Sequence, residues 1–286
     1  MRIAHTADEI RRQLKSLRRS KNIAFVPTMG CLHDGHLRLI RQAKQMADVV
    51  VVSIYVNPLQ FGAGEDLDAY PRTFDDDARV CAEAGVDFIF HPDTLYPKNG
   101  PKITLQASQL SDCLCGASRP GHFDGVLTVV NILFNIIQPD LALFGEKDWQ
   151  QLSLIRRMVS DLQMPIDIIG VAIVREADGL AMSSRNRYLS AADRELGLVL
   201  SQALMAMQQA ALAGKSDVEA LKAVGLKKLA AAGVKPEYLD IRHPNSLKTK
   251  RKLNPSARVF VAARIGSARL IDNMPLTVAT CTEESR

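Results

Sequence analysis

The chain has 286 residues, of which 47% are hydrophobic and 23% charged, and its formal net charge is +5. A chain of this length can bury a substantial core, and no uninterrupted apolar run approaches the ~20 residues that span a bilayer. The composition is that of an ordinary soluble globular protein.

Charge and cysteine usage narrow the class further. The basic residues are scattered and aromatic residues make up only 5% of the chain, which argues against a nucleic-acid-binding surface. The five cysteines are odd in number and widely spread, which argues against a disulfide framework. Cys113 and Cys115 form a single C-x-C pair, interpreted as packing residues rather than zinc ligands. The N-terminal stretch "MRIAHTADEIRRQL" has no apolar signal core, so we expect a cytoplasmic protein.

The first predicted elements form a strand–helix–strand unit. Thr6 and Glu9 make a capping box that predicts a helix over residues 7–19. "NIAFVP" is typical of a short buried strand, and residues 34–46 of an amphipathic helix. "DVVVVSIYV" follows, a β-branched run typical of a strand buried on both faces of a parallel sheet. These elements predict a βαβ unit.

The alternation continues to about residue 174. We predict a helix after Thr73, the strand "VDFIF", a helix over 126–137, the strand "LALFG", a helix over 149–162 and the strand "IDIIGVAIV". Such alternation predicts an α/β fold with a doubly wound parallel sheet. The loops at 27–36, 57–64 and 145–148 each follow a strand and should therefore converge on one crevice at the carboxyl ends of the strands.

The composition of the chain changes beyond about residue 175. Residues 190–232 are rich in Ala, Leu and Lys and are predicted to be helical. Three short strand-like runs follow, "EYLDIRHP", "RVFVAARIG" and "ARLIDN". We therefore predict a first domain over 1–176 and a second, smaller α+β C-terminal domain over 177–286.

The loop "VPTMGCLHDGHL", residues 26–37, holds two histidines at a predicted helix start. There His33 and His36 lie near unpaired backbone N–H groups and the positive end of the helix dipole, which suits an anion. Gly30 and Gly35 let the backbone approach phosphate oxygens closely. A zinc site would need a third ligand, and acid/base catalysis would need a nucleophile, for which Cys31 is the local candidate. We interpret the loop as a phosphate cradle.

Six blocks in order carry a family resemblance: "PTMGCLHDGH", "SIYVNPLQFG", "YPRTFDDD", "GASRPGHFDGV", "QPDLALFGEKDWQQL" and "MSSRNRYLS". Over residues 22–190 the chain resembles the pantothenate synthetases (pantoate–β-alanine ligases), a family of HxGH-type nucleotidyltransferases. One departure is Cys31, where Asn is expected in many relatives.

The resemblance implies an ATP-dependent ligase of the coenzyme A precursor pathway. It would join (R)-pantoate to β-alanine through a pantoyl adenylate and release AMP and pyrophosphate. The implied fold is a Rossmann-like nucleotide- and pantoate-binding domain with a small C-terminal lid domain. The implied assembly is a cytoplasmic homodimer that uses Mg²⁺ and has no membrane or nucleic-acid partner.

Site residues follow from the chemistry and the resemblance together. Negative charge builds on the phosphates during adenylation, so positive donors are required, and His33, His36, Lys147 and Arg185 are the catalytic candidates. By resemblance, Gln60 and Gln151 bind pantoate, Gln60 also binds β-alanine, and Asp148 helps to hold Mg²⁺. The implied ATP-binding residues are Met29, Gly30, Cys31, Leu32, His33, Asp34, Gly35, His36, Gly145, Glu146, Lys147, Asp148, Val174, Met182, Ser183, Ser184 and Arg185.

Some assignments are weaker or remain open. Asn57 and Tyr70 are further pocket candidates, and Gln150 is left out because it points elsewhere on its helix. For His122 we favour a structural or gating role. Another HxGH-type nucleotidyltransferase and a basic nucleic-acid-binding protein are the alternatives.

Overall fold

The protein divides into two compact units, Met1–Val174 and Arg175–Arg286. The computed structural model describes residues 1–253 and 256–278, so Cys281 lies outside the described residues. The boundary falls two residues before the predicted one. Arg175 and Glu176 belong to the second unit because they form ion pairs there with Asp272 and Arg194, at 2.7 and 2.6 Å.

A parallel sheet forms the centre of the first unit. Its strands are β1 (Arg2–Ala4), β2 (Ile23–Thr28), β3 (Val49–Ile54), β4 (Phe88–Phe90), β5 (Leu141–Gly145) and β6 (Asp167–Val171), in the order β1-β4-β3-β2-β5-β6. The chain adds strands on one side of β2 and then on the other. The sheet therefore has its switch point between β2 and β5, where ligands bind in folds of this kind.

Helices connect the strands of this sheet. They are α1 (Ala7–Lys15), α2 (Asp34–Met46), α3 (Phe74–Glu83), α4 (Leu114–Ser118), α5 (His122–Ile137) and α6 (Trp149–Asp161). The predicted helix over 7–19 ends early, and a separate 3-10 turn follows at Leu17–Arg19. α5 begins four residues before the predicted start.

Both faces of the sheet are covered. Ala24 and Val26 pack in one core cluster with Leu39 of α2 and Cys81 of α3. Successive strand side chains point to opposite faces, and Phe25 accordingly meets Phe134 of α5 edge-on, with ring centroids 6.3 Å apart. The predicted doubly wound, Rossmann-like α/β architecture is confirmed.

The second unit is a smaller α+β structure with its own core. It contains α7 (Ala191–Leu212), α8 (Val218–Ala231) and an antiparallel sheet of β7 (Tyr238–Arg242), β8 (Ala257–Ile265) and β9 (Ala268–Leu276). In the described part of the chain, no helix combines the length and apolar character that crossing a bilayer requires.

Candidate active site

Residues 29–33 connect β2 to α2, and together with the first residues of α2 (34–36) they are here called the nucleotide loop, after their predicted role. Gly30 and Cys31 both have left-handed backbone conformations, with φ of 82° and 52°. Glycine adopts this region readily, whereas cysteine does so at a cost. Asparagine tolerates it better than most residues, which explains why Asn is the expected residue at position 31.

The two histidines of this loop cap α2. His33 is the N-cap, and its Nδ1 accepts from the backbone N–H of Gly35 at 3.1 Å, while His36 Nδ1 accepts from the N–H of His33 at 3.3 Å. Because a backbone N–H can only donate, the proton of each neutral ring lies on Nε2. The ring centroids are 4.1 Å apart. The helix start therefore holds two neighbouring Nε2–H donors in a fixed tautomer.

The backbone N–H groups of the loop are less available to phosphate than the sequence predicted. The N–H of Gly30 donates to Thr28 Oγ1 at 3.1 Å, and those of Cys31 and Leu32 donate to Asp77 at 2.9 and 2.7 Å. The N–H groups of His33 and Gly35 donate to the two histidine rings. Most of the backbone donors expected to bind phosphate are therefore engaged within the protein. The donors that the loop offers to an anion are therefore mainly the imidazoles.

The electrostatic setting of His36 points to an anion. Burial, and to a lesser extent the neighbouring His33 and Lys147, lower its pKa to about 3. His36 is thus neutral at physiological pH. Lys147 lies in the 3-10 turn Glu146–Asp148 after β5, with its Nζ 3.8 Å from Asp148 Oδ2. The loops after β2 and β5 are therefore electrostatically coupled.

A 3-10 turn at Pro58–Gln60, here called the Gln60 turn, follows β3. It is organised by Asn57, which is 1% exposed. The Asn57 side-chain oxygen accepts from the Leu59 N–H at 3.3 Å, and its Nδ2 donates to the Gly125 carbonyl and to Gln60 Oε1, both at 3.1 Å. The Leu59 N–H can only donate and the Gly125 carbonyl can only accept. The orientation of the Asn57 amide, and through it that of Gln60, is therefore determined.

The Gln60 turn contacts both the nucleotide loop and α5. Gln60 Nε2 lies 3.1 Å from the Met29 sulfur. A Cβ on Gly125 would lie only 2.2 Å from the Leu59 carbonyl oxygen, so glycine is required for this close approach. Two observations support the predicted convergence of the three loops: Gln60 contacts Met29, and the charge of Lys147 acts on His36.

His122 supports the Gln60 turn from α5. Its Nδ1 lies 2.8 Å from the Gln60 carbonyl and therefore donates, while its Nε2 accepts from Arg119 at 2.9 Å. Arg119 in turn forms a bidentate ion pair with Glu65, in which Nε and Nη2 donate to the two carboxylate oxygens at 2.7 and 2.6 Å. Burial and the Arg119 charge lower the pKa of His122 to about 4. Arg119 and Glu65 were missed from the sequence, although Arg119 lies in the quoted block "RPGH".

From the lowered pKa values of His36 and His122, we predict that acid destabilises the first unit. Their pKa values of about 3 and 4 lie below the 6.5 of an unperturbed histidine. Between those values the unfolded chain binds more protons, so the free energy of unfolding falls as the pH falls from about 7 to 4. Urea unfolding followed by Trp149, the only tryptophan in the chain, should show a lower midpoint at pH 5 than at pH 7. The variant His122→Asn should show a smaller pH effect; an equal effect would contradict the assignment.

The remaining predicted pocket residues of the first unit are Gln151 and Tyr70. Gln151 is half-buried in the first turn of α6. The neighbouring Gln150 is buried and bonded to the backbone of residues 110–115, including the N–H of Cys115 at 3.0 Å. Tyr70 is buried with its ring edge-on to Phe61.

Residues 182–185 belong to the second unit, and hydrogen bonds within that unit hold this segment. Ser183 caps the 3-10 turn Ser184–Tyr188. The next residue, Asn186, donates to Glu176 at 2.6 Å, and Glu176 pairs with Arg194 at 2.6 Å. Val174, the remaining predicted ATP contact, is the last residue of the first unit.

A metal centre built by the protein alone is not seen in residues 1–253 and 256–278. No group of three or more His, Cys, Asp or Glu side chains is arranged there to hold an ion. Asp148 is about half exposed, with 49% of its side-chain surface accessible.

Comparison with known proteins decides the family. Residues 2–275 match the sequence profile of the pantoate-beta-alanine ligases. The chain belongs to the pantoate–β-alanine ligase family. This assignment confirms the resemblance and the prediction of a ligase, and it decides against the two alternatives.

Individual relatives agree over the whole length. The chain is 49% identical to the pantothenate synthetase of Pseudomonas fluorescens (strain Pf0-1), over 98% of this chain and 99% of the relative. The crystal structure of pantothenate synthetase from Thermus thermophilus matches with a TM-score of 0.92 and 45% identity, covering 96% and 99% of the two chains. The pantoate-beta-alanine ligase of Francisella tularensis, complexed with beta-gamma ATP and beta-alanine, matches with a TM-score of 0.79 and 36% identity, covering 96% and 97%.

Proposed function

We propose that the protein condenses (R)-pantoate with β-alanine in two steps. In the first, a pantoate carboxylate oxygen attacks the α-phosphorus of ATP, and pyrophosphate leaves with the electrons of the broken P–O bond. In the second, the neutral amine of β-alanine attacks the carbonyl carbon of pantoyl adenylate. AMP leaves, and the amine nitrogen loses a proton as the amide of pantothenate forms.

The paired imidazoles are the observation that carries this proposal. His33 and His36 hold their protons on Nε2 because both Nδ1 atoms accept from the backbone. His36 is neutral and lies in the field of Lys147. Fixed donors of this kind stabilise negative charge as it develops on phosphate oxygens, without the cost of reorienting water. We assign the ATP phosphates to these groups and, by family resemblance, to Ser183, Ser184 and Arg185.

Pantoate binding is assigned to Gln60 and Gln151. Asn57 donates to Gln60 Oε1, and one Nε2–H of Gln60 is directed to the Met29 sulfur, so the second Nε2–H is the donor that can face a ligand. An N–H donor complements the carboxylate and hydroxyl oxygens of pantoate. The same donor serves the β-alanine carboxylate in the second step, as the family resemblance implies.

Mg²⁺ is proposed to arrive with ATP. Magnesium is commonly bound through one or two carboxylates together with substrate phosphates, and the half-exposed Asp148 fits that pattern. When bound with ATP, the ion would neutralise phosphate charge. Asp148 also pairs loosely with Lys147, so it holds the ammonium group in the same turn.

We further propose a cytoplasmic homodimer. None of the described cysteines, Cys31, Cys81, Cys113 and Cys115, is in a disulfide, which fits a reducing compartment. Dimerisation is implied by the family resemblance, and light scattering of the purified protein tests it.

Pyrophosphate exchange tests the proposed function. Labelled pyrophosphate should enter ATP when pantoate is present, because only a reversible adenylation returns it. β-Alanine alone should give no exchange, and adding it with pantoate should convert ATP to AMP. Exchange that does not depend on pantoate would overturn the proposal.

The variant Gln60→Glu tests the role of the amide. It replaces an N–H donor by an acceptor of nearly the same shape, which leaves a pantoate oxygen facing a carboxylate. The KM for pantoate should rise on the order of tenfold to a hundredfold, the usual consequence of an unsatisfied buried polar group. The KM for ATP should change little. A change confined to ATP would contradict the assignment of Gln60 to pantoate.

A further inference from the structure

One buried carboxylate beside the nucleotide loop has no place in the reaction described so far. Asp77 is the last aspartate of "YPRTFDDD" and lies in the first part of α3. Acidic residues are common near helix starts, and its neighbours Asp75 and Asp76 are exposed as such residues usually are. Asp77 is only 3% exposed. A carboxylate is buried at a large cost unless hydrogen bonds compensate it, so its partners are informative.

Those partners belong mainly to the nucleotide loop. Asp77 Oδ2 accepts from the Cys31 N–H at 2.9 Å, and Oδ1 accepts from the Leu32 N–H at 2.7 Å. The Thr73 hydroxyl donates to Oδ2 at 3.2 Å and holds the carboxylate from its own helix. Hydrogen bonds to an ionised acceptor are the strong class of protein hydrogen bonds.

The loop needs such support because its backbone is strained. Gly30 and Cys31 are consecutive left-handed residues. A non-glycine residue in this region persists where its surroundings enforce the conformation. A Cβ on Gly30 would lie 2.9 Å from Asp77 Oδ2, so the carboxylate occupies the space beside the loop where a side chain would go. Asp77 therefore fixes the N–H groups of the two residues directly before His33.

We propose that Asp77 is a positioning residue for adenylation. It holds the backbone of Cys31 and Leu32 so that the imidazoles of His33 and His36 are already in position before ATP binds. This inference rests on the proposed function, in which the two imidazoles stabilise the triphosphate.

The first test is Asp77→Asn. The amide places an N–H₂ group against a backbone N–H and so removes one of the two anchoring bonds. The kcat of pantoate-dependent pyrophosphate exchange should fall by about tenfold or more, since misplacing catalytic groups by ~1 Å has effects of this size or larger. The KM for pantoate should stay within about twofold, because the Gln60 turn is held by other residues. Asp76→Asn is the matched control: it makes the same charge change on an exposed neighbour and should leave the rate unchanged.

Two further variants separate positioning from general stability. Cys31→Asn, added to Asp77→Asn, places a residue that tolerates the left-handed conformation at the strained position and should recover part of the lost kcat. A loss caused only by poor folding would not be recovered in this way. If Asp77→Asn does not fold, Thr73→Val serves instead, since it weakens only the hold on Oδ2. It should lower kcat by about twofold to fivefold.

The outcomes distinguish this inference from the proposed function. If Asp77→Asn, or Thr73→Val in its place, exchanges pyrophosphate at the wild-type rate while His36→Ala is inactive, the positioning role is wrong and the proposed function stands. If His36→Ala itself is near normal, the proposed function is wrong.

Discussion

Replacement of His36 by alanine is expected to lower the kcat of pyrophosphate exchange by about 10²–10³-fold, the usual effect of removing one fixed donor at a developing negative charge. The physical reason is the fixed tautomer. His36 accepts from the His33 N–H through Nδ1, so Nε2 carries the proton, and burial keeps the ring neutral with a pKa of about 3. The rate in wild-type enzyme should accordingly show no ionisation of His36 between about pH 5 and 9.

A second variant at the same position separates catalysis from helix capping. Gln is a usual residue at this point of a capping box and can accept from the His33 N–H. His36→Gln should therefore recover the ~1 kcal/mol of stability that a lost cap typically costs, while exchange remains well below wild type. The measurements are exchange kinetics and urea unfolding. Exchange near the wild-type rate in His36→Ala would reduce His36 to a capping residue.

Replacement of Lys147 by methionine is expected to lower the same kcat by about 10²-fold or more. The Lys147 side chain is 19% exposed, and its ammonium group lies 3.8 Å from Asp148 Oδ2, a weak ion pair that phosphate can displace. Methionine keeps the length and removes the charge. Because Lys147 lowers the pKa of His36, its removal should also raise the pKa of His36, which NMR titration of the imidazole can follow.

The control for Lys147 is a lysine outside the site. Lys44→Met removes a surface ion pair with Asp87, in which both side chains are about one-third exposed, and should leave exchange unchanged. Lys147→Arg retains the charge and should retain more activity than Lys147→Met. Equal loss in both would mean that the shape of the side chain matters more than its charge.

The sequence was most informative where periodicity and turn chemistry agree. The predicted helix over 34–46 and the β-branched strand before residue 55 are seen as α2 and β3, because burial on fixed faces determines both patterns. β1 was missed. It has three residues, two of them exposed, and its pairing with β4 depends on residues far along the chain.

The sequence indicated which residue types form the site, but it did not indicate which hydrogen bonds hold them. "HDGH" indicated an anion site, yet the sequence could not show that the backbone donors of the loop are already engaged. That depends on Asp77, and nothing in "DDD" distinguishes the buried aspartate from the two exposed ones. Asn57 is a similar case, since its role comes from the carbonyl of Gly125, which lies 68 positions away in sequence.

The two faces of the central sheet support the two parts of the proposed site, one assigned to ATP and the other to pantoate. The nucleotide loop is held by α3, which packs on the face of Val26, whereas the Gln60 turn rests on α5, which packs on the face of Phe25. Under the proposed assignment of Gln60 to pantoate, we expect substitutions in the α5 core to shift the preference for the acid substrate while nucleotide affinity is retained. Directed evolution of this enzyme toward other hydroxy acids would best begin at α5, even at positions that no substrate touches.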